Sequence, residues 1–460
     1  MLRDSYAEDK VFAELLELVP AMEPGLAAIG EYLEDEKLFE LIRADFSKRW
    51  ENTLLTGRHS TPVEVVLRML VVKRLYQYSY EETERVVSDS LTLRQFCRLY
   101  LNGAPDSKTI MRWNNLLCGE TLEKFNARVT ELAVQHKITK GKKLRTDGTV
   151  VESNIHSPSD SRQLADSVRV LERTVQSART ISHAVRTVVK KTGTQLTQKA
   201  RELARSIGEN ARKKAAAAKE TGQQLYRALI EQTQEVVRQA HQVLPHLKKM
   251  KDKCSKRLTS ALENFTPLAE QVIDQTERRV FQNNPVPAGE KIVSIFEPHT
   301  DIICRGKEAK PVEYGHKVWL DEVDGGIVSQ YRILDGNPPD AQQWQTSLKA
   351  HQKLFHHSPQ QASADRGVYS PDNETLAQTM GVKRIILPQP GYKSKQRKML
   401  ERRAWFVNGR KWHAGVEGRI SVLKRAHGLE RCLDHGENGF HRWVGWGIIA
   451  GNLAVLGRAT

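Results

Sequence analysis

The sequence lacks the features that place a protein in a membrane or in an oxidising compartment. Its cysteines are odd in number, widely scattered and never spaced as CxxC (positions 97, 118, 254, 304 and 432). We therefore expect reduced intracellular thiols, with neither a zinc site nor a disulfide framework. The best apolar run, residues 444–456, is short and interrupted by glycines and an asparagine, so no membrane span is expected. The start, MLRDSYAEDKVF, lacks a basic segment followed by an apolar one, and we expect no secretion signal.

Positive charge is what the chain has in excess. Its 460 residues carry a formal net charge of +16, with a pI near 9.5. The length allows two or three domains, and 39% hydrophobic residues can supply their cores. Such a charge favours an anionic partner, of which the phosphate backbone of DNA or RNA is the commonest large one.

Residues 1–135 show helical spacing of apolar residues throughout and are predicted to form an all-helical N-terminal domain. Thr61, Pro62 and Glu64 predict a capped helix start. Several short helices follow, and the last of them, APDSKTIMRWNNLL, carries Lys108 and Arg112. This order suits a helix-turn-helix-like DNA-binding unit that uses those two cations. A helical domain with a purely packing role is the alternative.

Residues 161–288 are predicted to form a long helical insertion. Glycine is sparse there, and proline is absent between Pro158 and Pro245. Apolar residues step by three and four, with Ser182 as the one weak position, which is typical of a coiled-coil seam or a long helical hairpin. The seam consists of Leu164, Val168, Leu171, Val175, Ala178, Val185 and Val189. We interpret the many basic residues as a solvated helix face, although nonspecific contact with a nucleic-acid backbone stays possible.

Residues 136–160 and 289–460 are predicted to form the two parts of one α/β domain, interrupted by the insertion. From about residue 291 the period becomes strand-like, in KIVSIFEP, TDIICRG, YGHKVWLDEVDGGIVSQYRILDG and VKRIILPQ. PDNETLAQTMG is a helix between strands, and VDGG predicts a hairpin turn. The stretch KLRTDGTVVESNI would be the first strand of this domain.

Asp147 interrupts that first predicted strand. Asp is a poor strand former, and Asp147-Gly148 between apolar runs is also a hairpin-turn signal. The alternative is that chemistry requires a carboxylate held rigidly on a strand. Gly148 would then be a small neighbour that lets a metal ion and a phosphate approach.

Two further carboxylates could join Asp147. Asp365 follows a short predicted strand at 361–364 and precedes a helix that Asp372 is better placed to cap, so Asp365 has no evident structural task. Glu417 lies on a predicted helix beside an apolar stripe, and Lys424 lies two turns further along the same face. A surface glutamate on an amphipathic helix is the alternative for Glu417.

Three stretches, in this order, resemble the DDE transposases of bacterial insertion sequences: TDGTVVESNIHSPSDSRQL, ADRGVYSPDNE and HAGVEGRISVLKRAHG. The resemblance covers roughly residues 40–160 and 290–455. It implies a ribonuclease-H-like catalytic domain with Asp147 on its first strand, Asp365 at the end of its fourth and Glu417 on the following helix. The family has a Tyr and an Arg before this Glu, where the present chain has Arg410 and His413, whereas Lys424 matches the family pattern.

The resemblance also implies a chemistry and its partners. Asp147, Asp365 and Glu417 would be both catalytic residues and metal ligands for two Mg²⁺ ions, with Mn²⁺ as a substitute. The substrate would be double-stranded DNA, both the inverted repeats at the element's ends and the target. We expect a homo-oligomer on DNA in the bacterial cytoplasm, associated with the nucleoid. DNA contacts are assigned to Lys424, His413, Arg410, Arg419, Lys108 and Arg112.

Two other functions stay open at this point. The chain could be a non-catalytic DNA-binding protein derived from a transposase, with His413 marking its decay. It could also be a hydrolytic nuclease of the same fold, which nicks DNA without joining ends. Intact acidic residues at all three positions favour an active transposase.

Overall fold

A computed structural model describes residues 1–189, 194–213, 217–304 and 311–459. The chain divides into two compact units. The first consists of Met1–Ser153 and Gly315–Thr460, and the second consists of Asn154–Tyr314. The α/β elements and the N-terminal helices therefore share one unit, and the predicted insertion forms most of the other.

The first unit is mostly helical. Side-chain caps begin several of its helices: Asp35 begins α3, Ser79 forms a capping box with Glu82 at α5, and Asp106 begins α7. The helices before the sheet are α1 (Lys10–Leu16), α2 (Pro24–Tyr32), α3 (Glu36–Phe46), α4 (Val63–Leu75), α5 (Tyr80–Asp89), α6 (Leu91–Phe96), α7 (Ser107–Asn114) and α8 (Gly119–Gln135).

A mixed sheet forms the α/β part of the first unit. Its strands are β1 (Lys143–Glu152), β3 (Val312–Val323), β4 (Ile327–Leu334), β5 (Gln361–Ser363) and β6 (Arg384–Ile386). The short β2 (Asp301–Cys304) and the first three residues of β3 belong to the second unit. The order across the sheet is β2-β3-β1-β5-β6, and β4 pairs with β3 outside this path. Strand β1 pairs antiparallel with β3 and parallel with β5, which itself runs parallel to β6. The central strand is therefore β1, flanked on both sides.

Helices follow and separate the later strands. They are α14 (Trp344–Phe355), α15 (Pro371–Thr379), α16 (Lys395–Arg402), α17 (Ala404–His427) and α18 (Gly436–Ala459). Helix α17 approaches β6 closely, because a Cβ at Gly409 would lie 2.5 Å from Ile386. A mostly helical chain with a mixed sheet is compatible with the predicted α/β class.

The second unit is a helical bundle with a hydrophobic core of its own. Its helices are α9 (Asp160–Ile181), α10 (His183–Val188), α11 (Gln195–Asn210), α12 (Ala217–Lys248) and α13 (Lys253–Val280). The predicted seam residues, from Leu164 to Val189, are all buried in this core. The helix does break at Ser182, whose side chain caps α10.

Two local predictions are wrong. KIVSIFEP forms no strand: Ile292 and Ile295 are buried in the helical core, and Gln275 bonds both backbone groups of Ile292. Helix α4 begins at Val63 without a side-chain cap, and Glu64 pairs instead with Arg68. Among the described helices, none combines the length and the hydropathy that a bilayer crossing requires.

Candidate active site

Asp147 lies within β1, and its backbone pairs with Leu320 of β3. The hairpin-turn interpretation of Asp147-Gly148 is therefore wrong, since the strand continues to Glu152. The ladder with β3 runs along β1 on both sides of Asp147, and the pairing with β5 at Lys143–Arg145 ends two residues before it, so the Asp147 backbone lies in an ordered strand. The Asp147 Oδ1 atom accepts a hydrogen bond of 2.7 Å from the Gly148 amide.

Gly148 has a packing role. Alternate residues of a strand point to opposite faces of the sheet. A Cβ at Gly148 would lie 3.2 Å from Lys317 Cε and 3.3 Å from the Trp319 ring. The missing side chain therefore makes room for Trp319, a fully buried core residue, and the interpretation as an approach path for phosphate finds no support.

Asp365 follows β5, the fourth strand of the first unit along the chain. His413 Nε2 lies 3.1 Å from Asp365 Oδ1, and His413 Nδ1 lies 3.3 Å from Ser363 Oγ. The hydrogen bond from His413 is the main cause that lowers the pKa of Asp365. His413 itself is 9% exposed. It therefore orients a carboxylate, which differs from the DNA contact predicted for it.

Glu417 is exposed on α17, one turn after His413. Val416 and Leu423 of the same helix are buried, as the apolar stripe predicted. Positions 410, 413, 414 and 417 follow helical spacing and lie on one face. That face is turned toward Asp147 and Asp365, because all of these residues line one pocket.

The pocket has a volume of about 190 Å³ and brings the three carboxylates together. Its lining residues are Asp147, Asp365, Arg366, Pro388, Arg410, His413, Ala414, Val416 and Glu417. Burial, followed by the charge of Asp365, raises the pKa of Asp147 to about 6. A positive charge bound in the pocket would stabilise the ionised Asp147 carboxylate and lower its pKa.

The donor chemistry of these side chains fits Mg²⁺, which prefers carboxylate oxygens. In the part of the chain that the structure describes, however, no three His, Cys, Asp or Glu side chains are arranged to hold a metal ion. The three carboxylates line the pocket without forming a finished ligand set.

Two arginines supply positive charge to the pocket. Arg410 is exposed on the face of α17 that carries Glu417, and Arg366, which the sequence did not single out, directly follows Asp365. Lys424 lies further along α17, outside the pocket lining, and is half-buried. Arg410 and Arg366 are thus the cations best placed for a phosphate in the pocket.

Arg419 does not fit the DNA contact predicted for it. It is 9% exposed, and its Nη2 atom donates to Asn452 Oδ1 at 3.2 Å. Burial lowers the pKa of Arg419 to about 10. Its position on α17, two residues after Glu417, points it into the protein, because residues two apart on a helix face different directions.

Arg145 is a further residue that the sequence did not single out. It lies on β1 two residues before Asp147 and makes two hydrogen bonds of 2.7 Å to Glu322. Its third donor bonds the Trp412 carbonyl of α17, and its guanidinium lies 4.8 Å from the Trp412 ring centroid. The sequence did contain a signal for it: a charged residue on a predicted inner strand, two positions from Asp147 and therefore on the same face, indicates a buried partner of opposite charge.

Lys108 and Arg112 are exposed on α7 of the N-terminal helices. Ile110 and Trp113 of the same helix are buried, so α7 has one packed face and one basic face. Neither cation lines the acidic pocket. A nucleic-acid contact there would be separate from the pocket.

Residues 13–116 match the model of a family described as Transposase domain (DUF772). The matched stretch begins in α1 and ends just after α7, so it includes Lys108 and Arg112. The comparisons with curated proteins and with solved structures found no significant match. The family match is consistent with an insertion-sequence transposase and does not extend to the acidic pocket.

Proposed function

We propose, starting from the transposase domain at residues 13–116, that this chain is a DDE transposase with a ribonuclease-H-like catalytic domain. It would cut DNA at the inverted repeats of an insertion sequence and join the ends to a target. The observation that carries the proposal is the convergence of Asp147, Asp365 and Glu417 on one pocket from three separate elements. The stretches of sequence around all three resemble the DDE transposases of bacterial insertion sequences.

Each carboxylate has its own support. Asp147 is anchored by the central strand, and Asp365 is oriented by His413. Glu417 projects from α17, which Arg145 ties to β1 through the Trp412 carbonyl. Held this way, the three side chains would bind two Mg²⁺ ions, or Mn²⁺ in their place, which would activate the attacking oxygen and stabilise the leaving oxygen.

The positive residues around the pocket would hold the DNA substrate. Arg410 and Arg366 are placed to donate to oxygens of the scissile phosphate, since guanidinium groups match phosphate geometry. Lys424 would contact the backbone further along α17. Lys108 and Arg112 on α7 would contact the inverted repeat. Joining two ends requires two copies of the active site, so we propose a homo-oligomer assembled on DNA at the nucleoid.

The test is cleavage and strand transfer by the purified chain on a plasmid that carries its own element ends. D147N, D365N and E417Q should each lower both reactions at least a thousandfold with Mg²⁺, because each removes a metal-binding oxygen. D335N, a change of the exposed Asp335, is the matched control and should retain activity.

The assay also separates the alternatives. Full activity of D147N would contradict the proposal. Nicking without joining by the wild-type chain would indicate a nuclease of the same fold. Specific binding of the repeats without cleavage in Mg²⁺ or Mn²⁺ would indicate a non-catalytic DNA-binding protein.

A further inference from the structure

The helical unit contains a basic groove that the active-site proposal does not use. The groove has a volume of about 870 Å³ and lies between the start of α9 and one side of α11. Four arginines line it, at positions 162, 201, 205 and 212, against two carboxylates, Asp166 and Glu209. Asp166 is already paired with Arg169 at 2.8 Å. The groove therefore has an excess of positive charge.

Three of these arginines have no partner within the described residues. The guanidinium groups of Arg201, Arg205 and Arg212 make no hydrogen bond or ion pair there, and all three side chains are exposed. Other arginines of the unit do have partners: Arg238 pairs with Glu235, and Arg279 pairs with Asp160. A solvated helix face was the sequence-based interpretation, but these three cations share one groove.

The arginines form an extended row. At 1.5 Å per helical residue, Arg201 and Arg205 are about 6 Å apart along α11, and the helix continues about 7 Å beyond Arg205 to Asn210, two residues before Arg212. From Arg201 to the end of α11 the row extends about 13 Å, the axial length of about four phosphates of one DNA strand at roughly 3.4 Å each.

The floor between the arginines is open. Ala204, Gly208 and Ala211 line the groove there, and a Cβ at Gly208 would meet no atom within 4 Å. A ligand backbone could therefore approach the helix surface between the guanidinium groups.

We propose that this arginine groove binds the phosphate backbone of duplex DNA independently of its sequence. The inference rests on the proposed function for its ligand, since a transposase meets duplex DNA at its ends and at its target. An extended row of donors fits a repeating polyanion better than a single phosphate, for which the donors would converge on one point. Each guanidinium group can donate two hydrogen bonds to the oxygens of one phosphate, and a row of them fits a chain of phosphates better than a single carboxylate.

The test measures binding of the full-length chain to a labelled duplex of arbitrary sequence, by fluorescence anisotropy between 50 and 250 mM NaCl in EDTA. Without metal ions no cleavage occurs, so the result is independent of the catalytic proposal. Each phosphate contact contributes about 0.9 to the slope of log K against log salt concentration. The triple variant R201A/R205A/R212A should lower the slope by about 2–3 and weaken binding about tenfold or more at the lowest salt.

Two controls separate the groove from net charge and from folding. K249A/K251A/R257A removes three exposed charges from the same unit outside the groove and should change the slope by less than about 1. G208E places a carboxylate in the open floor, at a helical position where both Glu and Gln favour the helix more than Gly does. It should weaken binding at least fivefold relative to its neutral counterpart G208Q, while both retain the wild-type melting temperature or exceed it.

Equal losses in the groove and control triple variants, or no loss in either, would overturn the proposal. The proposal would also be overturned if labelled polyglutamate bound as tightly as DNA and lost the same affinity in R201A/R205A/R212A. That result would assign the groove to an acidic protein partner. A chain that binds DNA through the groove but cuts nothing would refute the catalytic proposal alone. A chain that cuts its ends while the triple variant keeps the wild-type slope would refute the groove alone.

Discussion

Arg145 connects the strand of Asp147 to the helix of Glu417. It pairs in two-pronged geometry with Glu322, whose side chain is 2% exposed, and donates to the Trp412 carbonyl, one residue before His413. A Cβ at Gly415 would overlap the Arg145 guanidinium, so α17 passes directly over this side chain. The relative position of Asp147 and Glu417 therefore depends on one largely buried guanidinium.

Replacing Arg145 should affect both stability and cleavage. R145A leaves Glu322 buried without its partner, and we expect the free energy of unfolding to fall by about 3–5 kcal/mol. R145K keeps the charge but cannot bond Glu322 and Trp412 at once, so cleavage should fall at least tenfold with unchanged DNA affinity. Urea unfolding and cleavage rates at saturating DNA measure the two effects.

A double variant distinguishes a positioning role from a stabilising one. R145M/E322M removes both charges and should recover most of the lost stability, since apolar residues can replace a buried pair. Cleavage should stay low, because the Trp412 anchor is still missing. R238K, at an exposed pair on α12, is the control and should behave as wild type. Wild-type cleavage by R145K would contradict the positioning role.

Asp147 should cost the metal-free protein stability. Its folded pKa of about 6 lies above the unfolded value of 3.8, so the folded state binds the proton more tightly. The stability this proton binding gives is present below pH 3.8 and is lost as the pH rises through 6. At pH 7.5 the ionised side chain should cost roughly 1–3 kcal/mol.

D147N should therefore raise the free energy of unfolding by that amount at pH 7.5 while abolishing cleavage. The gain should shrink as the pH falls from 6 toward 4. Urea unfolding in EDTA measures it, with D335N as the surface control. A D147N variant less stable than wild type at pH 7.5 would show that burial of Asp147 carries no such cost.

At the scale of the elements, the spacing of apolar residues predicted most of the helices and strands. It failed in KIVSIFEP, where a side chain and not a neighbouring strand bonds the backbone groups of Ile292. The α17 stripe and the buried seam from Leu164 to Val189 follow from spacing alone. KIVSIFEP has the alternation of a strand, yet its buried residues lie against helices. A sequence pattern reports which residues are buried and leaves open what satisfies the backbone.

The candidate site was predictable only in part. The three carboxylates that share the pocket were all singled out, because each interrupts or accompanies a recognisable pattern. His413 and Arg419 lie three residues before and three residues after the buried Val416, so helical spacing already placed both on the packed face of α17. Their assignment to DNA followed their charge and the resemblance, and did not use this spacing. Arg145 needed the Glu322 and Trp412 contacts, which join positions far apart in the sequence.

Gln275 of α13 should be essential to the position of the KIVSIFEP segment, which has the residue alternation of a strand but forms none. Its amide donates to the Ile292 carbonyl at 3.1 Å and accepts from the Ile292 amide at 2.9 Å, and its side chain is 2% exposed. Q275L leaves both buried backbone groups without partners and should cost about 2–4 kcal/mol. Urea unfolding followed by far-ultraviolet circular dichroism measures the loss. Q271L, which removes an exposed bond to the Glu290 carbonyl, should cost less than about 1 kcal/mol.

At the scale of the whole molecule, the chain leaves the sheet after β1 to form the helical unit and returns to it in β3, beside the point where it left. Glu152 at the end of β1 pairs with Gly315 of β3, and between them lie Ser153 and the whole second unit, residues 154–314. Gly315 is required at this position, because a Cβ there would overlap the Val151 carbonyl. Strands β1 and β3 are thus the two arms of a hairpin whose loop is a folded unit.

Replacing residues 153–314 with Asn-Gly should leave the first unit folded. The antiparallel pairing of β1 and β3 can be closed by a two-residue turn, for which Asn-Gly is strongly preferred. We expect a cooperative thermal transition and a far-ultraviolet spectrum with less helix than the full chain. A variant without a cooperative transition would show that the sheet depends on the helical unit. The same deletion with Gly315→Ala should be less stable, because that position has no room for a side chain.

The single entry point also sets an order of events during synthesis. The pairing partners of β1 are β3 and β5, and both emerge from the ribosome only after residues 154–314. At about 5–20 residues per second, that segment takes roughly 8–30 s to synthesise. A helical bundle dominated by local contacts folds within milliseconds. When it folds, the two chain ends that leave it come together, and the closure of a long loop is complete before β3 reaches β1.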